Sequence, residues 1–476
     1  MCVPFSVLIS VSMNIRSRLG TKDFYKMVLG IAVPMIIQNG LTNFVSLLDN
    51  LMIGRVGTNA ISGVAIANQL VFVFWLLMFG ATAGVGIFTA QYYGKGDTEG
   101  VRNTFRFKLI ANTFLAVLAG IIYYLLAPTL VSWFLKGEGT PEDAAQTLQI
   151  GVSYINIIIA SLVPIGLSYA YAGTLRDTGN TRVPMIASMV AIFINLIGNA
   201  ILIYGLFGLP ALGANGAAIA TVVSRYVELL VLMIYTGTHS ASNPFIIGAF
   251  SSFRIPLKLV SQFILKSLPL MANETLWAFG MTVLNQCYSY RSLNAVAAVN
   301  IESTLWNLLT VAFVATGECI GIVVGQRLGA GQIETAKDYG LKMRALTVFF
   351  GAVCGLIMML LSPVFPLAYK TTEEVRSLAT ILIFISGIVM PLMAFTHASY
   401  FIIRSGGNTL ITFVFDCGYT WLIVVPLAYC LSRFTSVSVP VMMFSVQWAE
   451  LIKCAVGEYM VRSGIWAKNI VNNEVQ

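Results

Sequence analysis

Two acidic residues inside long apolar runs are the first candidates for chemistry. Asp49 lies in the first such run, and Glu274 lies in the seventh, five residues after Pro269. An ionised carboxylate in a membrane-spanning helix is costly unless it faces a cavity or a partner, so such residues often bind protons or cations. A proline beside an acid also frees backbone oxygens for ion binding. Both residues are therefore predicted to bind a coupling cation, although Asp49 would instead have a structural role if it paired with Arg55.

Four neutral polar residues in the first half of the chain supply further oxygen atoms. They are Gln38, Asn195, Asn199 and Thr221. Asn195 and Asn199 are four residues apart, which places them on one face of a helix. A carboxylate together with amide and hydroxyl oxygens suits a hard cation, so Asp49, Asn195 and Asn199 form a candidate Na⁺ site. The alternative is that these polar groups only hydrogen-bond neighbouring helices to each other.

A substrate cavity is predicted in the second half from acids and aromatic rings, because aromatic faces attract organic cations. Its candidate residues are Glu302, Glu318, Trp277, Trp306, Asn273 and His397. Three alternatives remain open. Glu302 would lie near the outer surface, the aromatic rings would face lipid or the interface, and His397 would be a packed core residue.

Three charged pairs are also expected within or between helices. Two of them join residues three positions apart, which are neighbours on a helix surface, and recur in matching places of the two halves. The expected pairs are Arg225 with Glu228, Glu450 with Lys453, and Asp416 with Arg404.

The elements that position these residues follow from composition. The chain is 57% hydrophobic and 10% charged, with a mean hydropathy of +0.82, whereas soluble domains carry about 25% charged residues. A bilayer-spanning helix needs about 20 apolar residues. We therefore predict an all-α polytopic membrane protein with twelve transmembrane helices. The predicted helices are 27–50, 60–90, 108–134, 146–172, 183–205, 214–236, 264–288, 295–325, 345–369, 377–402, 409–430 and 438–460.

An internal repeat organises the helices into two halves. At an offset of 235 positions, without a gap, Pro34 matches Pro269 and Gln91 matches Gln326, and further matches follow at smaller offsets. Each half holds six helices, so both enter the membrane in the same direction. This arrangement predicts two six-helix bundles related by a pseudo-two-fold axis along the membrane normal.

Basic residues set the predicted orientation. Most Lys and Arg residues fall in the short segments on the same side as the chain termini, which places both termini in the cytoplasm; acidic segments such as 138–143 fall outside. The basic residues lie between apolar runs, which argues against nucleic-acid binding.

The predicted divisions are an N-terminal extension 1–26, a bundle 27–236, a linker 237–262, a second bundle 263–462 and a tail 463–476.

The repeated segments resemble the MATE (multidrug and toxic compound extrusion) family over nearly the whole chain. The resemblance rests on Pro34, Gln38, Asp49, Gly54 and Gly57, on AQYYGKGD at 90–97 and GQRLGAG at 325–331, on LRDTGNT at 175–181 and IRSGGNT at 403–409, and on NAILIYGLFGLPALGANGAAIAT at 199–221. It implies an exporter of organic, often cationic, amphipathic compounds, driven by a Na⁺ or H⁺ gradient through rocking of the bundles. It also implies a functional monomer in the cytoplasmic membrane of a bacterium. Asp49 and Glu274 match acids in the first and seventh helices of the family.

The sequence departs from the family pattern in two places. Asn199 stands where some members carry an aspartate, and Met393 lies roughly where a tenth-helix acid would sit; Asn273, Asn285 and Gln286 are candidates to compensate. Neither a catalytic site nor a cofactor other than the coupling ion is predicted. A flippase for lipid-linked saccharides and a passive channel remain as alternative functions.

Overall fold

The computed structural model describes residues 20–135 and 140–472, and the regular secondary structure in these ranges is helical. Most of the predicted N-terminal extension, the outer-loop residue Glu138 and the last four residues of the tail lie outside the described residues.

Twelve long helices follow one another along the described chain, which confirms the predicted number. The first six are α1 (Lys22–Gly54), α2 (Thr58–Lys95), α3 (Thr98–Ser132), α4 (Pro141–Asp177), α5 (Arg182–Tyr204) and α6 (Gly213–Thr238). The second six are α7 (Leu257–Ser289), α8 (Leu293–Gly329), α9 (Ile333–Leu361), α10 (Glu373–Ser405), α11 (Thr409–Phe434) and α12 (Val439–Ser463). Several extend past the predicted bounds, since polar cap residues and not the edges of the apolar runs set their ends. The segment joining α6 to α7 is correspondingly shorter than 237–262, because α7 already begins at Leu257.

Eleven of these helices are long and apolar enough to cross a membrane, by length and composition alone. The exception among the described helices is α7, in which Asn273 and Glu274 interrupt the apolar run. The least apolar helix is thus one that carries a candidate cation-binding residue.

Matching glycines end matching helices in the two halves. Gly96 follows α2 with φ of 79°, and Gly331 lies after α8 with φ of 76°. Gly179 and Gly407 repeat the pattern after α4 and α10, with φ of 91° and 77°. A left-handed residue closes a helix C-terminus at little cost only when it lacks Cβ. The repeat seen in the sequence is therefore a repeat of helix ends as well as of apolar runs.

Each half has its own apolar core. In the first half, α2, α3 and α4 pack around Phe74, Met78, Tyr154 and Leu162. In the second half, α8, α9 and α10 pack around a separate cluster that includes Leu305 and Met390. We refer to the two halves as the N-bundle (α1–α6) and the C-bundle (α7–α12).

The two bundles meet tightly at the end that carries the chain termini, which we call the tail end. Gly94 of α2 lies against the backbone of Gln326, and Gly329 of α8 lies against the backbone of Gln91. The two glutamines then cross the seam in equivalent ways. Gln91 donates from Nε2 to the Ser405 carbonyl at 3.0 Å, and Gln326 donates to the Asp177 carbonyl at 2.8 Å. These contacts follow the pseudo-two-fold relation predicted from the repeat.

Residues 466–471, which we call the tail strap, lie across this seam. On the C-bundle side, Asn469 donates from Nδ2 to the Leu328 carbonyl at 2.8 Å. On the N-bundle side, the Ile470 amide donates to Gln91 Oε1 at 2.8 Å, and Lys95 Nζ donates to the Val471 carbonyl at 3.0 Å. The strap therefore joins both bundles at the tail end.

Candidate functional site

A chain of hydrogen bonds gathers four predicted residues in the N-bundle. Asn199 donates from Nδ2 to Asp49 Oδ1 at 2.7 Å and to Asn195 Oδ1 at 3.2 Å. Asn195 in turn donates to Thr221 Oγ1 at 3.2 Å. Three helices contribute, since Asp49 comes from α1, the two asparagines from α5 and Thr221 from α6. The set has the oxygen-rich composition expected of a cation site.

Asp49 has an amide partner and forms no ion pair with a Lys or Arg of the described chain. The structural alternative, a pair with Arg55, does not form. Asn199 is 1% exposed, and its Oδ1 has no hydrogen-bond partner among the described residues. A buried amide oxygen without a partner is destabilising, so this oxygen is available to a cation that enters beside Asp49.

Gln38, the other predicted coupling residue of this bundle, does not contact the Asp49 site. Gln38 lies eleven positions before Asp49, which is about 16 Å along a helix at 1.5 Å per residue. It donates to Ser188 Oγ at 2.7 Å, and Ser188 donates to Glu228 Oε1 at 2.7 Å. Glu228 also accepts from Arg225 at 2.8 Å, which confirms that predicted pair. The N-bundle thus holds two polar networks at different depths.

In the C-bundle, Asp416 and not Arg404 organises the polar contacts. Asp416 Oδ1 lies 2.7 Å from Lys453 Nζ, and Oδ2 accepts from Asn273 Nδ2 at 2.9 Å. The expected pair of Asp416 with Arg404 is wrong, because the carboxyl group is already bound by α7 and α12. Lys453 also lies 3.9 Å from Glu450, the predicted partner three positions earlier.

Glu274 lies next to this network. Asn273, Tyr400 and Arg404 are its polar neighbours, and Asp416 is close enough to repel it. Glu274 forms no ion pair with any described Lys or Arg, in contrast to Asp416. It is therefore a carboxylate of the C-bundle without a fixed cation.

The helix that carries Asp416 has an irregular backbone at this level. Residues Val414–Gly418 and Thr420–Val424 of α11 are π-helical. Helix α12 is interrupted at Ala449, one residue before Glu450. Widened turns of this kind occur often at functional sites, because they redirect side chains. No pattern in the sequence indicated them.

The predicted substrate residues do not line one cavity. Glu302 is 6% exposed and lies within the C-bundle beside Ser386. Trp306 packs against the apolar core of the same bundle, and Trp277 is 39% exposed on α7. His397 is partly buried and contacts Phe401 with ring centroids 5.1 Å apart, as expected of a histidine packed among apolar residues.

A cavity of about 200 Å³ lies between the bundles toward the tail end. Glu318 is the only predicted substrate residue that lines it. The other charged lining residues come from the repeated motifs LRDTGNT and IRSGGNT, and they are Arg176, Asp177 and Arg404. Asp177 pairs with the buried Lys108 at 2.7 Å. Arg176 and Arg404 occupy equivalent positions of the two motifs. This match indicated the repeat, and it could also have indicated that the two residues face the same cavity.

No group of three His, Cys, Asp or Glu side chains in residues 20–135 and 140–472 is placed to hold a metal ion. The arrangement is instead that of single carboxylates with amide and hydroxyl neighbours. Such sites suit a proton or a monovalent cation that must bind and leave.

The family model MatE matches residues 34–201 and 269–430, one block in each bundle. The chain belongs to the MatE family. Its relatives include the probable multidrug resistance protein YoeA of Bacillus subtilis, 24% identical over 412 residues that cover 86% of this chain and 87% of YoeA. The probable multidrug resistance protein NorM of Thermotoga maritima is 23% identical over 423 residues, covering 87% and 86%.

Solved structures share the fold of this MatE protein. A MOP superfamily transporter from Pyrococcus furiosus superposes with a TM-score of 0.83 at 18% identity, covering 95% of this chain and 98% of that one. An outward-facing multidrug resistance MATE transporter gives 0.79 at 16% identity, covering 95% and 99%. The two-bundle, twelve-helix architecture predicted from the sequence is confirmed, and the protein is a multi-pass membrane transporter of a multidrug efflux family.

Proposed function

We propose that this MatE protein exports organic, amphipathic, cationic compounds by antiport with Na⁺ or H⁺. The observation that carries the proposal is the Asp49 site, where one carboxylate meets Asn199 and, through it, Asn195 and Thr221. An intramembrane acid without a basic partner is able to take up and release a cation. The multidrug resistance names of YoeA and NorM support an amphipathic drug-like substrate.

The contacts between the bundles support alternating access. Gln91, Gln326 and the tail strap close the tail end. Nearer the middle of the bundles, Ser267 of α7 donates to a carbonyl of α2 at 3.1 Å, and farther from the tail end Asn43 makes only a long hydrogen bond of 3.4 Å to the Asn307 carbonyl. One end is thus held more firmly than the other, as in the proposed rocking of two bundles around a central site. The distribution of basic residues supports a cytoplasmic position for the tail end.

The outer surface supports a location in the lipid bilayer of a bacterial cytoplasmic membrane. Large apolar side chains are widely exposed, among them Phe114 at 65% and Leu422 at 77%. Exposed apolar area on this scale is favourable in lipid and unfavourable in water. We propose a functional monomer that binds no nucleic acid, with both termini in the cytoplasm.

Transport into everted vesicles tests the proposal. A fluorescent organic cation is followed while Na⁺ and pH gradients are imposed separately. The wild-type protein is expected to accumulate the dye under one of them, whereas Asp49→Asn and Glu274→Gln lose gradient-driven accumulation. Glu334→Gln, an exposed change at the tail end, is the control. Unaltered transport in both site variants would refute the assignment of the coupling residues, and dye movement that needs no gradient would indicate a channel.

A further inference from the structure

We propose that Lys453 is a built-in cation of the C-bundle, whose ammonium group takes the position at Asp416 that a coupling ion would otherwise occupy. The inference rests on the proposed antiport function and refines its ion-binding part. Exchange of the coupling cation is then left to Asp49 and Glu274, the two predicted coupling acids, which form no ion pair with a described Lys or Arg. Replacing Lys453 by an uncharged residue should create a new alkali-cation site.

The ammonium group is surrounded as a bound cation would be. Its Nζ lies 2.7 Å from Asp416 Oδ1 and 3.9 Å from Glu450 Oε1. It also lies over the rings of Phe415 and Tyr419, 5.4 Å and 5.3 Å from their centroids. Aromatic faces and carboxylate oxygens both attract cations, so these four residues form a cation-binding shell that is filled by the protein itself.

The shell is held in place by further hydrogen bonds. Asn273 donates to Asp416 Oδ2 at 2.9 Å, and Thr396 donates to Glu450 Oε1 at 2.6 Å. The side chains of Lys453 and Asp416 are only 11% and 18% exposed. Four helices, α7, α10, α11 and α12, therefore fix both carboxylates around one position. A preorganised set of oxygens is what a small cation requires.

The backbone marks the same place. Asp416 lies in the first π-helical segment of α11, and Glu450 follows the interruption in α12. Two neighbouring helices thus depart from regular geometry where they supply the two carboxylates. Irregular backbone inside a membrane domain is tolerated where it is buried in protein or lines a cavity, and in transporters it often surrounds an ion site.

Charge balance separates Glu274 from its neighbours. The acids of this cluster are Glu274, Asp416 and Glu450, and the bases are Lys453 and Arg404. Lys453 contacts two of the acids, whereas Arg404 contacts none of the three within ion-pair distance. Glu274 is therefore the acid of the cluster whose charge is left for a mobile cation.

The test measures Na⁺ binding to the purified full-length protein, independently of transport. Thermal unfolding is followed as NaCl replaces choline chloride at constant ionic strength. Asp416→Asn is expected to leave the wild-type Na⁺ response unchanged, because Na⁺ does not bind there. Lys453→Met is expected to respond at a Na⁺ concentration at least about tenfold lower, since two carboxylates and an amide become available. Lys453→Arg, which keeps the charge, should behave as the wild type.

The double variant Lys453→Met/Asp416→Asn should lose the response to low Na⁺ concentrations that Lys453→Met gains. If Lys453→Met alone does not fold, the Na⁺ response of the double variant can still be compared with that of the wild type. Lys108→Met removes the other buried Lys–Asp pair, which has the same 2.7 Å separation but no second carboxylate in contact, and should show no such gain. The proposal would be overturned if the Na⁺ response of the wild type disappeared in Asp416→Asn or in the double variant. It would also be overturned if Lys453→Met folded but did not respond to lower Na⁺ concentrations than the wild type. Failure of export by the wild-type protein would instead refute the proposed function and leave these binding results as they stand.

Discussion

Asp49 and Glu274 occupy different surroundings although both are acids of the membrane domain. Asp49 accepts a hydrogen bond from Asn199 at 2.7 Å. Glu274 lies beside a network in which Lys453 already neutralises Asp416. The amide beside Asp49 is neutral, and no Lys or Arg of the described chain pairs with that carboxylate. Single side chains thus determine where the proposed cation is exchanged.

Exchanging the acid and its amide partner tests the Asp49 site. Asp49→Asn is expected to reduce gradient-driven export at least about tenfold, the range of typical coupling free energies. The double variant Asp49→Asn/Asn199→Asp restores one carboxylate and one amide in contact, so part of the activity should return. Initial rates of dye accumulation in vesicles measure both. A double variant no better than Asp49→Asn would contradict a role based on the carboxylate–amide pair.

The two polar networks of the N-bundle should behave independently. Gln38 contacts Ser188 and belongs to the Glu228 network, whereas Asp49 contacts Asn199. Effects of distant residues without shared partners usually add within about 0.5 kcal/mol. Gln38→Ala and Asp49→Asn should therefore have additive effects on the free energy of unfolding in detergent. A coupling energy well above that margin would show that the networks are connected.

At the scale of helices, the seam at the tail end depends on glycine. Gly94 and Gly329 bring the backbones of α2 and α8 into contact with Gln326 and Gln91, and a Cβ on either glycine would overlap the opposite backbone. The two helices can therefore approach this closely only because neither glycine has a side chain. In the sequence, the two glycines indicated only the repeat.

Gly94→Ala should separate α2 from α8 and lower the stability of this conformation. A cost of about 1–3 kcal/mol is expected, as for other overpacked positions, with a lower midpoint of thermal unfolding in detergent. Gly30→Ala is the matched control, because a Cβ at Gly30 of α1 meets nothing within 4 Å. Equal midpoints for the two variants would show that the contact at Gly94 does not hold the bundles together.

The tail strap should restrain opening at the same end. Asn469 binds the Leu328 carbonyl next to the seam, whereas Asn408 donates to the Ile465 carbonyl at 3.5 Å within the C-bundle. Asn469→Ala is expected to raise several-fold the rate at which an impermeant maleimide, added from the tail end, labels a single cysteine introduced at Ala83 in the cavity. Asn408→Ala should leave that rate unchanged. Equal labelling rates in both variants would contradict a restraining role for the strap.

The elements themselves could be predicted largely from sequence, because apolar length and the repeat decide them. The number of helices and the glycine-marked ends of α2 and α8 follow directly from these patterns. Contacts between distant segments could not be predicted. The contact of Gln38 with Ser188 was not predicted, and Asp416 was given the wrong partner, because helix rotation and the π-helical turns of α11 leave no periodic signal.

At the scale of the whole molecule, a symmetric scaffold carries asymmetric chemistry. Gln91 and Gln326 make equivalent contacts across the seam, yet Asp49 and Glu274 have no acidic counterparts in the other bundle. Position 284 opposite Asp49 is leucine, and position 39 opposite Glu274 is asparagine. In the proposed mechanism, the matched residues allow the bundles to rock about a common axis, and the unmatched acids make that motion depend on cations.

The account is tested most directly by asking whether substrate moves the coupling cation. Purified protein is reconstituted into liposomes, and an outward gradient of an organic cation substrate is imposed without any ion gradient. Radioactive Na⁺ and a trapped pH dye then report cation movement. The wild-type protein is predicted to drive Na⁺ or H⁺ inward as substrate leaves, and Asp49→Asn should abolish that flux. Substrate efflux by the wild-type protein without movement of either cation, or an undiminished cation flux in Asp49→Asn, would contradict the proposed coupling at Asp49.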